Sequence, residues 1–194
     1  DVASSHSIPL PDQYVHAVIS SPPYCTRIDY AIATKPELAL LGCPMDNELK
    51  KLRDLMIGTP TILKSQVQIN PNWGAECISF LNNVMNHSSK ASKSYYLKYY
   101  IQYFDSIYKS LLEIDRILIK NGYCVLVVQD SYYKDIHNDL ALIFTQIGKS
   151  IDWKLCLHRY FDTNRNMVGI NPKAKIYRKS TKATESILIF KNIN

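Results

Sequence analysis

The sequence lacks long apolar runs, closely spaced cysteines and closely spaced glycines. No uninterrupted apolar stretch approaches the roughly 20 residues that a membrane-spanning helix needs, and no signal peptide opens the chain. The five cysteines are scattered, odd in number and without a CxxC pair, which argues against a disulfide framework and against a zinc site. We therefore expect a cytoplasmic protein with reduced cysteines and no bound metal.

The charge balance is basic, with 23 Lys and Arg against 17 Asp and Glu and a net charge of +6. A modest positive charge suits a polyanionic partner where the charge is clustered. Residues 163–184 are such a cluster, because they include several basic residues and no acidic one. A solvated basic loop is the alternative interpretation. The candidates for phosphate binding are Arg165, Lys173, Lys175, Arg178 and Lys179.

A short apolar run that stops at two prolines is the most informative stretch of the chain. Residues 15–19 are β-branched and bounded by turn formers, which predicts a buried strand. Ser21-Pro22-Pro23-Tyr24 follows. The two prolines fix their φ angles and lack an N–H, so Ser21 and Tyr24 are held on a stiff backbone at the strand's carboxyl end. Open α/β sheets bind their ligands at that edge.

Helical and extended patterns alternate along the rest of the chain, which predicts a single α/β domain with a doubly wound parallel sheet. Residues 43–93 are interrupted by Pro and Gly and predict an irregular insertion with short helical pieces. The tyrosines near residue 100 favour packing of a helix on the sheet over a stacking surface. We predict helices at 30–41, 94–120 with Ser94 as N-cap, and 137–148, and strands at 123–128, 153–160 and 185–191.

At residues 21–24 the sequence resembles the amino-methyltransferases of DNA, whose motif is Ser, Asp or Asn, then Pro-Pro, then an aromatic residue, at the end of the fourth strand. The Ser-Pro-Pro-Tyr form is associated with cytosine-N4 methylation. The stretches IDYAIATKPELALLG, LIKNGYCVLVVQDS and ESILIFK are also similar to family members. The resemblance implies the C-terminal half of a Rossmann-like class I S-adenosylmethionine-dependent methyltransferase fold, a mostly parallel sheet closed by an antiparallel strand pair.

The resemblance assigns catalysis to Ser21, Pro22, Pro23 and Tyr24. The exocyclic amine of cytosine or adenine is a poor nucleophile, because its lone pair is delocalised into the ring. The Ser21 hydroxyl and the Pro22 carbonyl could accept its two protons and aim it at the methyl group of S-adenosylmethionine. Tyr24 suits stacking on a base flipped out of the duplex. Covalent catalysis by Cys25 is disfavoured, since Tyr24 separates it from Pro23, unlike the Pro-Cys pair of cytosine-C5 methyltransferases.

Other residues receive roles from their positions relative to the family. Asp1 matches the acidic position that contacts the adenine amine of the cofactor. Asp130 and Ser131 follow a neighbouring strand and are candidates for the base pocket. Residues 43–93 would be a target-recognition or cover segment, and residues 1–194 together would form one partial catalytic domain.

The sequence has no GxG, whereas this fold normally binds the methionine part of the cofactor with a glycine-rich turn. We therefore expect the cofactor-binding half in a preceding segment or on a separate chain, with double-stranded DNA as the other partner. The leading interpretation is a cytosine-N4 DNA methyltransferase of a restriction-modification system. Adenine-N6 methylation, an RNA substrate and a non-catalytic nucleic-acid-binding subunit stay open.

Overall fold

The computed structural model describes residues 3–44, 47–63, 67–163 and 183–194. A mixed sheet with helices forms the described part, so the predicted α/β class is confirmed. The expected double winding is not seen in these residues, because helices cover only one face of the sheet. The helices are α1 (Tyr30–Ala33), α2 (Lys35–Leu40), α3 (Asn47–Leu55), α4 (Ala75–Asn86), α5 (Leu97–Ile117) and α6 (Leu140–Ser150). The strands are β1 (Val15–Ser20), β2 (Leu118–Gln129), β3 (Ser131–Tyr133), β4 (Ile136–Asn138), β5 (Trp153–Thr163) and β6 (Ala183–Asn192).

The main sheet has the strand order β1-β2-β6-β5. β1 is parallel to β2, and β6 is antiparallel to both of its neighbours, β2 and β5. The last two strands therefore form the antiparallel pair expected from the sequence. β3 and β4 form a separate two-stranded hairpin directly after β2. The carboxyl ends of β1 and β2 lie side by side, because Ser20 is paired with Leu126 in the parallel register.

One face of the sheet is covered by helices. Alternate residues of β2 and β6 are buried on this face, among them Leu126 and Phe190. α6 packs closely here because Gly148 has no side chain: a Cβ at that position would lie 3.0 Å from the Phe190 ring. The aromatic residues of α5 fill the rest of the core, with Tyr99, Tyr103 and Phe104 fully buried. The predicted packing role of the tyrosines is confirmed.

The opposite face of the sheet, which we call the open face, is mainly apolar and is partly or fully exposed. Ile19 is 79% exposed, although residues 15–19 were expected to form a buried strand. That expectation is wrong, because an apolar run does not specify whether anything covers it; among the described residues β1 is an edge strand. β2 is likewise not fully buried as expected, since its residues alternate in burial. The apolar residues of the open face are Ile19, Tyr123, Val125, Val127, Leu157, Phe161, Ile187 and Ile189, and the same register also places Gln129, Arg159, Glu185 and Lys191 on it.

Several helix boundaries differ from the expectation. The helix predicted at 30–41 is broken at Thr34, because Pro36 at the start of α2 has no N–H with which to continue the helix. It ends as predicted at Gly42, whose φ is +74°. Ser94 is not an N-cap: it lies within a π-helical turn, Ser92–Tyr96, that runs directly into α5. α5 ends at Ile117, where β2 begins without a loop.

Arg116 of α5 fixes the segment that leads into β1. Its guanidinium donates hydrogen bonds to the carbonyls of Ile8 and Leu10, both at 3.0 Å. It also forms an ion pair with Glu113, at 2.7 Å. The hydrogen bond from Arg116 lowers the pKa of the Glu113 carboxyl to about 2. The start of β1 is therefore held against the end of α5.

No helix in the described ranges is long and apolar enough to cross a membrane. Within the same ranges, no three His, Cys, Asp or Glu side chains are grouped so that they could hold a metal ion.

Candidate functional site

The Ser-Pro-Pro-Tyr stretch leaves β1 at the carboxyl edge of the sheet, as the sequence predicts. The hydroxyl of Ser21 is exposed and donates a hydrogen bond to the carbonyl of Val127 in β2, at 3.3 Å. A hydroxyl has one proton to donate and two lone pairs that accept. With its proton directed at Val127, the oxygen of Ser21 offers lone pairs to a ligand.

Two tyrosines hold the backbone of this stretch: Tyr103, which is buried, and Tyr30, which is partly buried. The hydroxyl of Tyr103, on α5, donates to the carbonyl of Pro23 at 2.8 Å. The backbone N–H of Tyr24 donates to the hydroxyl of Tyr30, at 3.1 Å. The carbonyl of Pro22 receives no hydrogen bond from any residue that the structure describes, so it is available to a donor on a ligand. The fixed backbone therefore presents one hydroxyl oxygen and one carbonyl oxygen next to each other in sequence.

The side chain of Tyr24 lies beside the start of β6. Its hydroxyl donates to Oε1 of Glu185 at 3.2 Å, and the amide of Gln129 donates to the same oxygen at 3.4 Å. Burial and the Glu185 carboxylate raise the pKa of Tyr24, whose hydroxyl lies near that of Ser21. The phenol is therefore protonated at neutral pH. We call Ser21, Tyr24, Gln129 and Glu185 the Tyr24 cluster.

Sequence reasoning missed Gln129, Glu185, Tyr30 and Tyr103 as members or supports of this site. Gln129 could have been found from the alternation along β2, which places it on the same face as Val127. Glu185 is opposite Gln129 in the antiparallel register of β2 and β6. That register depends on how the final strands pair, which the sequence did not specify.

Asp130 and Ser131, the predicted base-pocket residues, lie at the start of the β3–β4 hairpin, and both side chains contact β4. Oδ2 of Asp130 lies 2.8 Å from Nε2 of His137, and this hydrogen bond raises the pKa of His137. Ser131 is buried, and its hydroxyl accepts a hydrogen bond from the Asn138 amide at 2.9 Å. Both side chains thus stabilise the turn beside the site, and their contact with a base stays a prediction.

Cys25, directly after Tyr24, is buried in the core. Burial raises the pKa of its thiol well above the usual range. Nucleophilic attack requires the thiolate, which this environment disfavours. The site is therefore unsuited to covalent catalysis through Cys25.

Arg27 extends the site toward α5. Its guanidinium lies 4.7 Å from the centre of the Tyr96 ring, a cation–π contact, and its side chain is exposed. Asp29 caps α1 by accepting from the Ile32 N–H and forms an ion pair with Arg53 of α3. These contacts attach the beginning of the predicted insertion to the loop after the motif.

The predicted insertion, residues 43–93, is partly core. α4 buries Cys77, Phe80, Leu81 and Val84, and Phe80 packs edge-on against Tyr100 at 4.8 Å. At least this helix therefore belongs to the layer that covers the sheet. The remaining predicted binding residues lie outside the described ranges: Asp1, Arg165, Lys173, Lys175, Arg178 and Lys179.

The chain was also compared with protein families and with curated proteins. Neither a family model nor a curated protein matches the chain. The chemistry of the site therefore has to follow from its own geometry and from the resemblance at residues 21–24.

Proposed function

We propose that this chain is the catalytic part of a DNA amino-methyltransferase that transfers a methyl group to the exocyclic amine of a flipped base, with cytosine N4 as the preferred target. The observation that carries the proposal is the pair of acceptors after β1. The Ser21 oxygen has its proton directed at Val127, and the Pro22 carbonyl has no donor in the described part of the chain. An amine with two N–H groups is the ligand that such a pair fits.

The pair of acceptors would activate the amine. Hydrogen bonds from the two N–H groups to Ser21 and Pro22 would draw its lone pair out of conjugation with the ring and fix its direction. The backbone is restrained here, because the Tyr103 hydroxyl donates to the next carbonyl, that of Pro23. Such pre-organised acceptors stabilise the charge that develops on nitrogen without reorganisation at the moment of reaction. Tyr24 would stack on the base and keep it in the plane that the acceptors require.

S-adenosylmethionine would supply the electrophilic methyl group. The described residues do not fit the whole cofactor, since the glycine-rich turn that cradles its methionine part is absent from the sequence. The Ser-Pro-Pro-Tyr stretch supplies the side of the site that faces the amine. We propose that the cofactor is held largely by a partner or by a further segment of the polypeptide.

Two features of the fold support a site that is shared between this chain and a separate cofactor-binding part. The Rossmann-like methyltransferase interpretation requires parallel strands followed by an antiparallel pair, and the order β1-β2-β6-β5 is compatible with it. The open face and the edge of β1 are where further strands and helices would join. Double-stranded DNA would be the substrate, in a restriction-modification or related system.

Adenine-N6 methylation is the second candidate, because adenine presents the same two N–H groups to the same acceptors. A non-catalytic nucleic-acid-binding subunit is the third. Digestion of methylated DNA and mass analysis of its nucleosides separates all three: N4-methylcytosine, N6-methyladenine or no methylated nucleoside.

The decisive variant is Ser21→Ala in the complete enzyme, with the cofactor-binding partner present. We expect loss of at least about 100-fold in methyl transfer, since removal of a single stabilising donor or acceptor in an active site costs about 10²–10³. Ser88→Ala is the matched control, because Ser88 is exposed and remote from the motif in sequence. Wild-type activity in Ser21→Ala would overturn the proposal, whereas lost activity with retained DNA affinity would support an enzyme over a binding subunit.

A further inference from the structure

Glu185 is an acidic residue beside the Ser-Pro-Pro-Tyr stretch that the proposed chemistry does not use. It is partly buried near the start of β6 and accepts two hydrogen bonds on one oxygen, from Tyr24 and from Gln129. No Lys, Arg or His of the described residues forms an ion pair with it. A carboxylate in this position is stabilised by the donors that surround it.

The two donors come from different strands, and the geometry makes Glu185 their common acceptor. Gln129 ends β2 and is opposite Glu185 in the register, so its amide approaches from the neighbouring strand. Tyr24 approaches from the loop after β1, 161 residues earlier in the chain. Hydrogen bonds to an ionised acceptor are roughly twice as strong as neutral ones. Glu185 therefore joins the ends of three structural elements at the site.

We infer that Glu185 is a positioning residue that sets the orientation of the Tyr24 ring for stacking on the target base. A tyrosine ring turns about two side-chain bonds. Its hydroxyl oxygen lies on the axis of the second, so a hydrogen bond there fixes the first rotation, which sets where the ring lies, and restrains the ring plane only through the direction of the O–H bond. The charged hydrogen bond to Glu185 fixes that oxygen, while the Tyr30 hydroxyl holds the backbone N–H at the near end. The ring is thus held at both ends before a base arrives.

This inference rests on the proposed function and deepens it. If the ring is held in advance, the base does not have to order it, and the gain appears in the chemical step. Overall DNA affinity would change little, since phosphate contacts supply most of it. Loss of Glu185 should therefore lower kcat while KM for DNA changes little.

The test is a set of variants in the complete enzyme: Tyr24→Phe, Glu185→Ala, Glu185→Gln and the double variant Tyr24→Phe/Glu185→Ala. Tyr24→Phe and Glu185→Ala should each lower kcat by about 10-fold, because both remove the same charged hydrogen bond. The double variant should lose no more than either single one. Glu185→Gln retains an acceptor and should recover part of the loss.

Glu37→Gln on α2 is the matched control, since Glu37 is exposed and lies outside the cluster. Thermal unfolding of every variant checks that the fold is retained. Losses that multiply in the double variant would overturn the inference, because independent roles are additive in free energy. Wild-type kcat in Glu185→Ala would overturn it as well, while leaving the Ser21 proposal intact. An inactive wild-type enzyme would instead remove the proposed function and this inference together.

Discussion

At the scale of single residues, the hydroxyl of Tyr103 is a structural link between the core and the motif. It is buried on α5 and donates to the Pro23 carbonyl at 2.8 Å. In Tyr103→Phe the carbonyl loses this donor, so we expect the free energy of unfolding to fall by about 1–2 kcal/mol. Methyl transfer should fall too, because the acceptors at Ser21 and Pro22 become less rigidly placed. Urea unfolding and the methylation assay measure the two effects.

Tyr160→Phe is the control for Tyr103→Phe. Tyr160 is 69% exposed on β5, so removal of its hydroxyl should change the unfolding free energy by less than about 0.5 kcal/mol. Equal losses in the two variants would show that the hydrogen bond to Pro23 contributes nothing specific.

Tyr103 also shows what the sequence can and cannot predict about a single residue. The helical spacing of the tyrosines correctly predicts that they pack in the core. It does not predict the partner of the hydroxyl, because Pro23 lies 80 residues away in the chain. Periodicity identifies a helix face, whereas a hydrogen bond between distant residues depends on the completed fold.

At the scale of elements, the β3–β4 hairpin should show a pH-dependent stability. The hydrogen bond to Asp130 raises the pKa of His137 on β4 above its usual value in an unfolded chain. The protonated form is thus favoured by folding, so the contribution is fully present below about pH 6.5 and is lost as the pH rises through the folded pKa. Thermal unfolding between pH 5.5 and 8.5 measures the loss.

Asp130→Asn removes the negative charge that favours protonated His137 and is the matched variant. Wild type should lose more stability than Asp130→Asn over the same rise in pH. Identical pH dependence in the two proteins would contradict the assignment to this pair. Methyl transfer in Asp130→Asn then tests separately whether Asp130 also contacts the base.

The elements themselves were mostly predictable, and the errors have local physical reasons. The last two strands lie close to where the sequence places them, because their apolar patterns are strong. The helix predicted at 137–148 begins only at Leu140, because the residues before it form β4 and Asp139 caps the helix. α5 was expected to begin at a cap, Ser94, but the preceding residues form a continuous π-helical turn. β2 was expected to begin after Gly122, yet it includes Asn121, whose φ is +64°. An Asn-Gly pair can interrupt a strand without ending it.

At the scale of the whole molecule, the open face leaves apolar side chains of the described unit uncovered. A contiguous apolar face of this kind marks an interaction site or a tendency to associate. We expect the 194-residue chain alone to self-associate, and Ile19→Ser to reduce that association, because Ile19 is the most exposed residue of the face. Light scattering at increasing concentration measures the effect.

Leu112→Ser is the control for Ile19→Ser. Leu112 is also exposed, but it lies on α5 and not on the open face. Serine at position 112 should leave association unchanged. If both variants reduced association equally, general surface hydrophobicity would explain it. A cofactor-binding partner that covers the face should suppress association in wild type.

The sequence could not predict the open face, because strand patterns alone do not reveal which faces are covered. Val125 and Val127 are residue types typical of a core. Only the position of the helices on the other side of the sheet shows that these two residues lie outside it. The location of the motif at the sheet edge was predictable, since two prolines must end a strand. The completed Tyr24 cluster was not, because it required the pairing of β6 with β2.

The parallel pairing of β1 with β2 has a consequence for the order of assembly. The hydrogen bond between Ser21 and Val127 joins residues 106 positions apart, so forming this contact closes a long loop of chain. Closure of a loop costs entropy that grows as about (3/2)RT ln n, and an edge strand recovers it through contacts on one side only. α5 and β2 are adjacent in the chain, so their contacts involve no such loop. The acceptors after β1 should therefore be assembled late in folding. In a nascent or partly unfolded chain, the contacts between α5 and β2 would form before Ser21 and Pro22 reach their positions in the site.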